Sequence, residues 1–187
     1  MTRHAALSAL LLLTVLALPS VATAQSFPQG WTVYRAAQRG ADADLLETSI
    51  EAATQPLGLL KRTMLRARLR RDLGIPTQIA IQRDARAITV RSKPGGEVAT
   101  PADGTTIRRV TEDGEHHSAR QWVDGDTLVQ IVRTGDVTKT TRFELSSDAS
   151  TLRQSVVITM PDLAQPIRYE AVYRSVTHRR LTADLRD

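Results

Sequence analysis

Cysteine is absent from the 187 residues. No disulfide can staple the fold, and no thiolate can hold a metal or act as a nucleophile. Aromatic residues make up only 4%, too few for the stacking platforms of a single-stranded nucleic-acid binder. Beyond residue 24 no apolar run approaches the ~20 residues that a membrane-spanning helix needs. Charge of neither sign dominates: 25 basic residues stand against 20 acidic, a net +5. No G-x-S-x-G elbow, P-loop, dinucleotide fingerprint or HExxH spacing occurs. These absences argue against a nucleic-acid partner, a metal site, a bound cofactor and an enzyme built on a known motif.

What is present begins with an export signal over residues 1–24. "MTRH" gives a short positive start and "AALSALLLLTVLALP" an apolar core. Ala22-Thr23-Ala24 then supplies a small-residue cleavage site. With no lipoprotein cysteine and no twin-arginine pair, the expectation is an unfolded chain exported to the periplasm or beyond. The mature start, residues 25–41, shows no sustained period and reads as an irregular lead-in.

From Asp44 the spacing is helical. Asp44 and Glu47 stand at a capping-box interval, and Leu46, Ile50 and Ala53 recur on one face. Pro56 interrupts, Gly74 offers a left-handed cap and Pro76 bars continuation. One kinked helix or a helical hairpin is expected over residues 44–73. On its second half, Arg62, Arg66 and Arg70 fall at i, i+4 and i+8. They form a stripe expected to face solvent, opposite Leu57, Leu60, Met64, Leu65 and Leu69. Lys61 and Arg68 fall inside the leucine arc instead. There they either snorkel to the rim or meet an anion beneath a sheet: a strand carboxylate such as Glu144 or Glu170, or a ligand head group.

After Pro76 the grammar is that of strands. Two-residue alternation is cut every 8–12 residues by turn clusters, including Asp103-Gly104, Asp113-Gly114 and Asp124-Gly125. Nine strands are expected: 77–83, 86–92, 97–100, 105–111, 115–123, 126–134, 137–145, 150–160 and 166–175. The loops are too short for crossover helices, so the sheet is antiparallel, and a sheet this large curls. The fold class is therefore α+β, a helical hairpin or kinked helix followed by a barrel-like or strongly curved meander. One domain covers residues 42–176, with a basic tail over 177–187.

The last strands give the clearest faces. Thr141, Phe143 and Leu145 share a side with Lys139. Gln154, Val156 and Ile158 share another, as do Tyr169, Ala171 and Tyr173. A few polar tips in an apolar concavity suit a small-molecule pocket. The candidate ligand-binding residues are Arg68, Lys61, Gln154, Tyr169, Tyr173 and Thr141. His116 and His117 are adjacent on one strand, so they leave on opposite faces and cannot readily share an ion. His178 lies in the tail.

The stretches "VDGDTLV" and "FELSSDASTL", with Ala67-Arg68-Leu69 in the helical segment, resemble small exported bacterial proteins of unknown function that join a helical segment to a lipocalin-like, calycin-like meander. The resemblance covers residues 42–175 and implies a fold rather than a chemistry. The leading expectation is a periplasmic or secreted binding protein for a lipidic or amphipathic small molecule. Arg68 and Lys61 would steady an anionic head, with Tyr169, Tyr173 and Gln154 lining the cavity. The alternative is a structural or interaction module of the cell envelope, with a filled core and a protein partner. A hydrolase built around His116 or His117 is a third, weaker reading.

Overall fold

The structure is a computed structural model that describes residue 27 and residues 29–37, 39–110 and 114–176. The expected export signal and the basic tail lie outside the described residues. The chain runs β1 (Gly30–Ala36), α1 (Arg39–Thr54), α2 (Leu59–Asp72), β2 (Gln78–Arg83), β3 (Ala87–Lys93), β4 (Gly96–Pro101), β5 (Ile107–Val110), β6 (His116–Asp124), β7 (Thr127–Thr134), β8 (Val137–Leu145), β9 (Thr151–Thr159) and β10 (Ile167–Ser175). It is an α+β fold in which a helical pair caps a barrel-like antiparallel sheet.

The ten strands lie in the order β4-β3-β2-β1-β10-β9-β8-β7-β6-β5. From β2 to β10 the meander matches the expected strands to within a residue or two. The lead-in does not stay irregular: β1 pairs Thr32 with Ile81 and Val33 with Ala80 on β2, and Ala36 with Tyr173 on β10. Trp31, Thr32, Val33 and Tyr34 are good strand formers, but the stretch is too short and too mixed to show a sustained two-residue alternation. It forms because β2 and β10 would otherwise both present open edges, whose N–H and C=O groups need partners.

At the opening of the sheet β4 comes against β6 without a ladder. Gln121 of β6 reaches across and donates its Nε2 to the carbonyl of Val98 on β4 at 3.0 Å. Gly104, beside this seam, has φ +82°, and a Cβ there would come within 3.5 Å of the Trp122 side chain. Trp122 itself lies on the outer face, with the Arg120 guanidinium 4.5 Å from its ring centroid.

Alternation fills the barrel in two layers. Phe27, Tyr34, Ile79, Ile81, Ile88, Val90, Leu128, Phe143, Leu152, Ala171 and Tyr173 form one cluster. Under the helices, Leu46, Ile50 and Ala53 of α1 and Leu65 and Leu69 of α2 pack on Val156, Ile158, Ile167 and Tyr169. Burial of that second layer holds the cap on the barrel, at roughly 25 cal/mol per Å² of apolar surface removed from water.

Three expectations about the helical segment are corrected. Asp44 and Glu47 are not an N-terminal box, because α1 begins earlier, at Arg39. Gly74 is not a left-handed cap, since Leu73 already leaves α2 in extended conformation (φ −105°, ψ 118°). The arginine stripe does not face open solvent: it turns toward α1. Arg62 donates to the Leu57 carbonyl, Arg66 to Thr54 Oγ1 at 2.8 Å and to the Glu51 carbonyl, and Arg70 to the Glu47 carboxylate. The orphan carbonyls at the end of α1 are the natural partners of cations on an antiparallel neighbour. Arg70 in turn holds the Glu47 carboxyl below its ordinary pKa.

Candidate functional site

Register places the inward side chains of β6 to β10 in rows across the barrel. Nearest the helices, one row reads Ala119, Val132, Lys139, Ile158 and Ile167. One inward step deeper it reads Gln121, Gln130, Thr141, Val156 and Tyr169, and the next is Val123, Leu128, Phe143, Gln154 and Ala171. The first row sits under α2. Between them a cleft of about 230 Å³ opens, lined by Leu65, Arg68, Leu69 and Asp72 of α2 and by Val132, Lys139 and Ile158 of the barrel, among others.

Lys139 is the unexpected member. It stands in register between Val132 and Ile158, and no carboxylate bonds it among the described residues. Burial pushes its ammonium below the ordinary lysine value. Asp72, the acid on the cleft wall, is engaged by Arg68 at 3.5 Å and by Arg71 at 3.1 Å. The mouth therefore holds a positive group with an unfilled need for an anion.

The second row is polar where a core is normally apolar. Gln121, Gln130, Thr141 and Tyr169 are all buried, at 0–7% exposure. Gln121 Oε1, Gln130 Nε2, Thr141 Oγ1 and the Tyr169 hydroxyl have no hydrogen-bond partner among the described residues. Burial pushes the Tyr169 phenol up to about 12. None of these four side chains lines the mouth cleft. A second space of about 160 Å³ lies at the seam, lined by Val98, Arg109, His117, Ala119 and Val132 among others. Val132 is a wall common to both spaces.

The structure scatters the residues predicted from sequence. Thr141 and Tyr169 lie in the polar row. Gln154 and Tyr173 lie deeper and bond each other, the Tyr173 hydroxyl donating to Gln154 Oε1 at 2.9 Å. Arg68 borders the mouth, but its side chain is 60% exposed. Lys61 bonds Asp162 at 2.6 Å on the outside. Lys61 and Arg68 do share a groove, but it is the outer one, about 710 Å³, with Leu60 and Met64. The leucine arc is split accordingly: Leu65 and Leu69 are buried, while Leu60 and Met64 stand 76% and 66% exposed, beside Leu59 at 79%.

Of the two histidines, His116 is exposed on the outer face. His117 points inward, with Nε2 3.2 Å from Glu115 and Nδ1 3.3 Å from Thr134 Oγ1. Among the described residues no group of three acids and histidines gathers closely enough to hold a metal ion. Sequence reading placed Lys139 on an oily face without singling it out, and passed over Gln121 and Gln130. The signal available was a charged or amide side chain at an inward position of an alternating strand.

No known sequence family matches this chain, and no curated protein does. Solved structures do resemble it. A fatty acid-binding protein from brain tissue of Drosophila melanogaster aligns over 80% of this chain and 99% of its own, at 16% identity and TM-score 0.42. The fatty-acid-binding protein of Manduca sexta aligns over 79% and 99%, at 16% and 0.43. The fluorescent protein UnaG aligns over 78% and 95%, at 17% and 0.41. Likeness at this level transfers no function to this chain.

Proposed function

We propose that the protein is an exported carrier, periplasmic or secreted, for an anionic amphipathic small molecule seated in the mouth between α2 and the barrel. The observation that carries this reading is Lys139, a half-buried lysine on the cleft wall with no acid bonded to it among the described residues. A carboxylate or similar head group would restore the electrostatic partner that folding removed, and charge-assisted hydrogen bonds are the stronger kind, ~1.5–3 kcal/mol. The apolar walls given by Leu65, Leu69, Val132 and Ile158 would take the non-polar part. Export rests on the signal-like pattern of residues 1–24.

Titration calorimetry with dodecanoate and with dodecanol, equal in chain length and different in charge, tests the reading. The expected result is saturable binding of dodecanoate and binding of the alcohol at least about tenfold weaker. Equal affinities, or no uptake of either, would overturn it.

A second reading, an interaction module of the envelope, draws support from exposed Leu59, Leu60 and Met64 beside the basic outer groove. A stoichiometric protein partner lost on Leu60→Ser with Met64→Ser, in a chain that binds no dodecanoate, would favour it.

A further inference from the structure

We infer that the outer face of α2 is a docking surface for an anionic lipid bilayer, with Leu60 and Met64 entering the interface and Lys61 and Arg71 meeting the phosphate head groups. The inference stands apart from the carrier reading, since it uses neither Lys139 nor the inner leucines. A helix laid on a barrel needs one oily face, and α2 has two. Leu65 and Leu69 serve the barrel, at 9% and 5% exposure. Leu60, Met64 and Ala67 stand at i, i+4 and i+7 on the other side, where they line the outer groove with Lys61, Arg68 and Arg71. Leu59, Leu60 and Met64 are three of the six large apolar side chains left exposed among the described residues. Such crowding on one stretch of helix marks a contact surface rather than scattered surface leucines.

Charge selects the occupant. α2 carries six basic residues and one acid, Asp72. The fold brings Asp162 to Lys61, and Glu47 and Glu51 to Arg70, so the patch stays positive. Arg62 and Arg66 donate only to carbonyls and to the Thr54 hydroxyl, which leaves their charge without a bonded carboxylate among the described residues. A second copy of this chain would set two such helices face to face, like charge on like. A protein partner needs roughly 800 Å² and ~20–30 residues on each side, whereas the apolar ground here is one short stripe. An interfacial helix needs no more than that: a narrow apolar stripe, bordered by cations whose long stems reach out to the head groups. The Lys61–Asp162 and Arg71–Asp72 ion pairs stand at the surface, where such pairs are weak and exchange for phosphate costs little.

The absence of cysteine allows a probe at one chosen residue. Met64→Cys in the full chain, labelled with a polarity-sensitive fluorophore, is titrated with vesicles of phosphatidylcholine alone and of equal parts phosphatidylcholine and phosphatidylglycerol. Ser147→Cys carries the same label as control, in the exposed β8–β9 turn at the opposite end of those strands from the mouth. The expected result is a saturable blue shift at residue 64 with the anionic vesicles, none at residue 147, and reversal by high salt. Lys61→Gln and Arg71→Gln should each raise the half-saturating lipid concentration about fivefold, and Leu60→Ser about tenfold. All three side chains are exposed, so thermal midpoints should stay at the parent's value. No shift at residue 64 with either vesicle overturns the inference. So does an equal shift with both, or one that the three substitutions leave unchanged. A shift that grows with protein concentration in the absence of lipid would mean that a second copy covers the patch, which overturns it equally. None of these outcomes bears on dodecanoate binding, so the carrier reading stands or falls separately.

Discussion

Replacing Lys139 by Met keeps an unbranched side chain of similar reach and removes the charge. In the unliganded protein this should stabilise, which is the reverse of the usual result for a substitution inside a barrel. Lys139 stands between Val132 and Ile158 on its own sheet and shares the cleft with Leu65 and Leu69 of α2, with no acid bonded to it among the described residues. An unsatisfied buried polar group costs roughly 1–3 kcal/mol, and more for a charge. Lys139 keeps part of its hydration at the mouth, so a gain of about 1–2 kcal/mol is expected. For a domain of this size that is roughly 3–6 °C in midpoint. The pH dependence fixes the sign. Folding lowers this lysine's pKa below the ordinary 10.5, so the fold binds its proton less well than the unfolded chain does. The penalty is full at neutral pH and shrinks as pH rises through the folded value toward 10.5. Urea unfolding at pH 7 and pH 10 should therefore show the variant ahead at neutral pH and the gap narrowing in alkali. The same variant should lose about 10- to 150-fold in dodecanoate affinity, the worth of one charge-assisted hydrogen bond. A variant less stable than the parent at pH 7, or one that binds dodecanoate unchanged, would refute the reasoning.

Two other groups make separate predictions. Asp42 of α1 is buried, its Oδ2 has no partner, and burial raises its carboxyl above the ordinary value; Asp42→Asn should stabilise by about 1 kcal/mol at pH 7. Because the folded pKa is the higher one, the fold is penalised only as pH rises through it, so urea midpoints of variant and parent should converge near pH 3. Gln121→Leu removes the bond that ties β6 to β4 where no ladder exists. Stability should fall by about 1 kcal/mol, and hydrogen exchange should accelerate in β4 while β8 to β10 stay protected.

The nine strands from β2 to β10, the helical pair and the inward faces were legible from local pattern alone. Alternation at Leu152, Gln154, Val156 and Ile158 names the buried face because successive side chains in a strand must point to opposite sides. The same reading failed on the arginines of α2. A wheel separates Arg62, Arg66 and Arg70 from the leucines, but it cannot say whether the polar side meets water or the carbonyl end of another helix. It likewise grouped Leu60 and Met64 with Leu65 and Leu69, although α2 is too narrow a contact for the barrel mouth to cover all four. Among the site residues, Thr141 and Tyr169 were marked as polar tips in an apolar face, but Gln154 and Tyr173 looked the same until their mutual hydrogen bond separated them.

The order of residues by itself determined which segments become helix or strand and which side of each strand is oily, because those properties repeat with the backbone's own periods of 3.6 and 2. The tertiary structure alone decided that Gly30–Ala36 pairs between β2 and β10, that the sheet closes through Gln121 and Val98, and that no acid among the described residues bonds Lys139. Each of these depends on which distant side chain arrives opposite, and that is set by closing ten strands into one barrel, a constraint no local stretch of sequence carries.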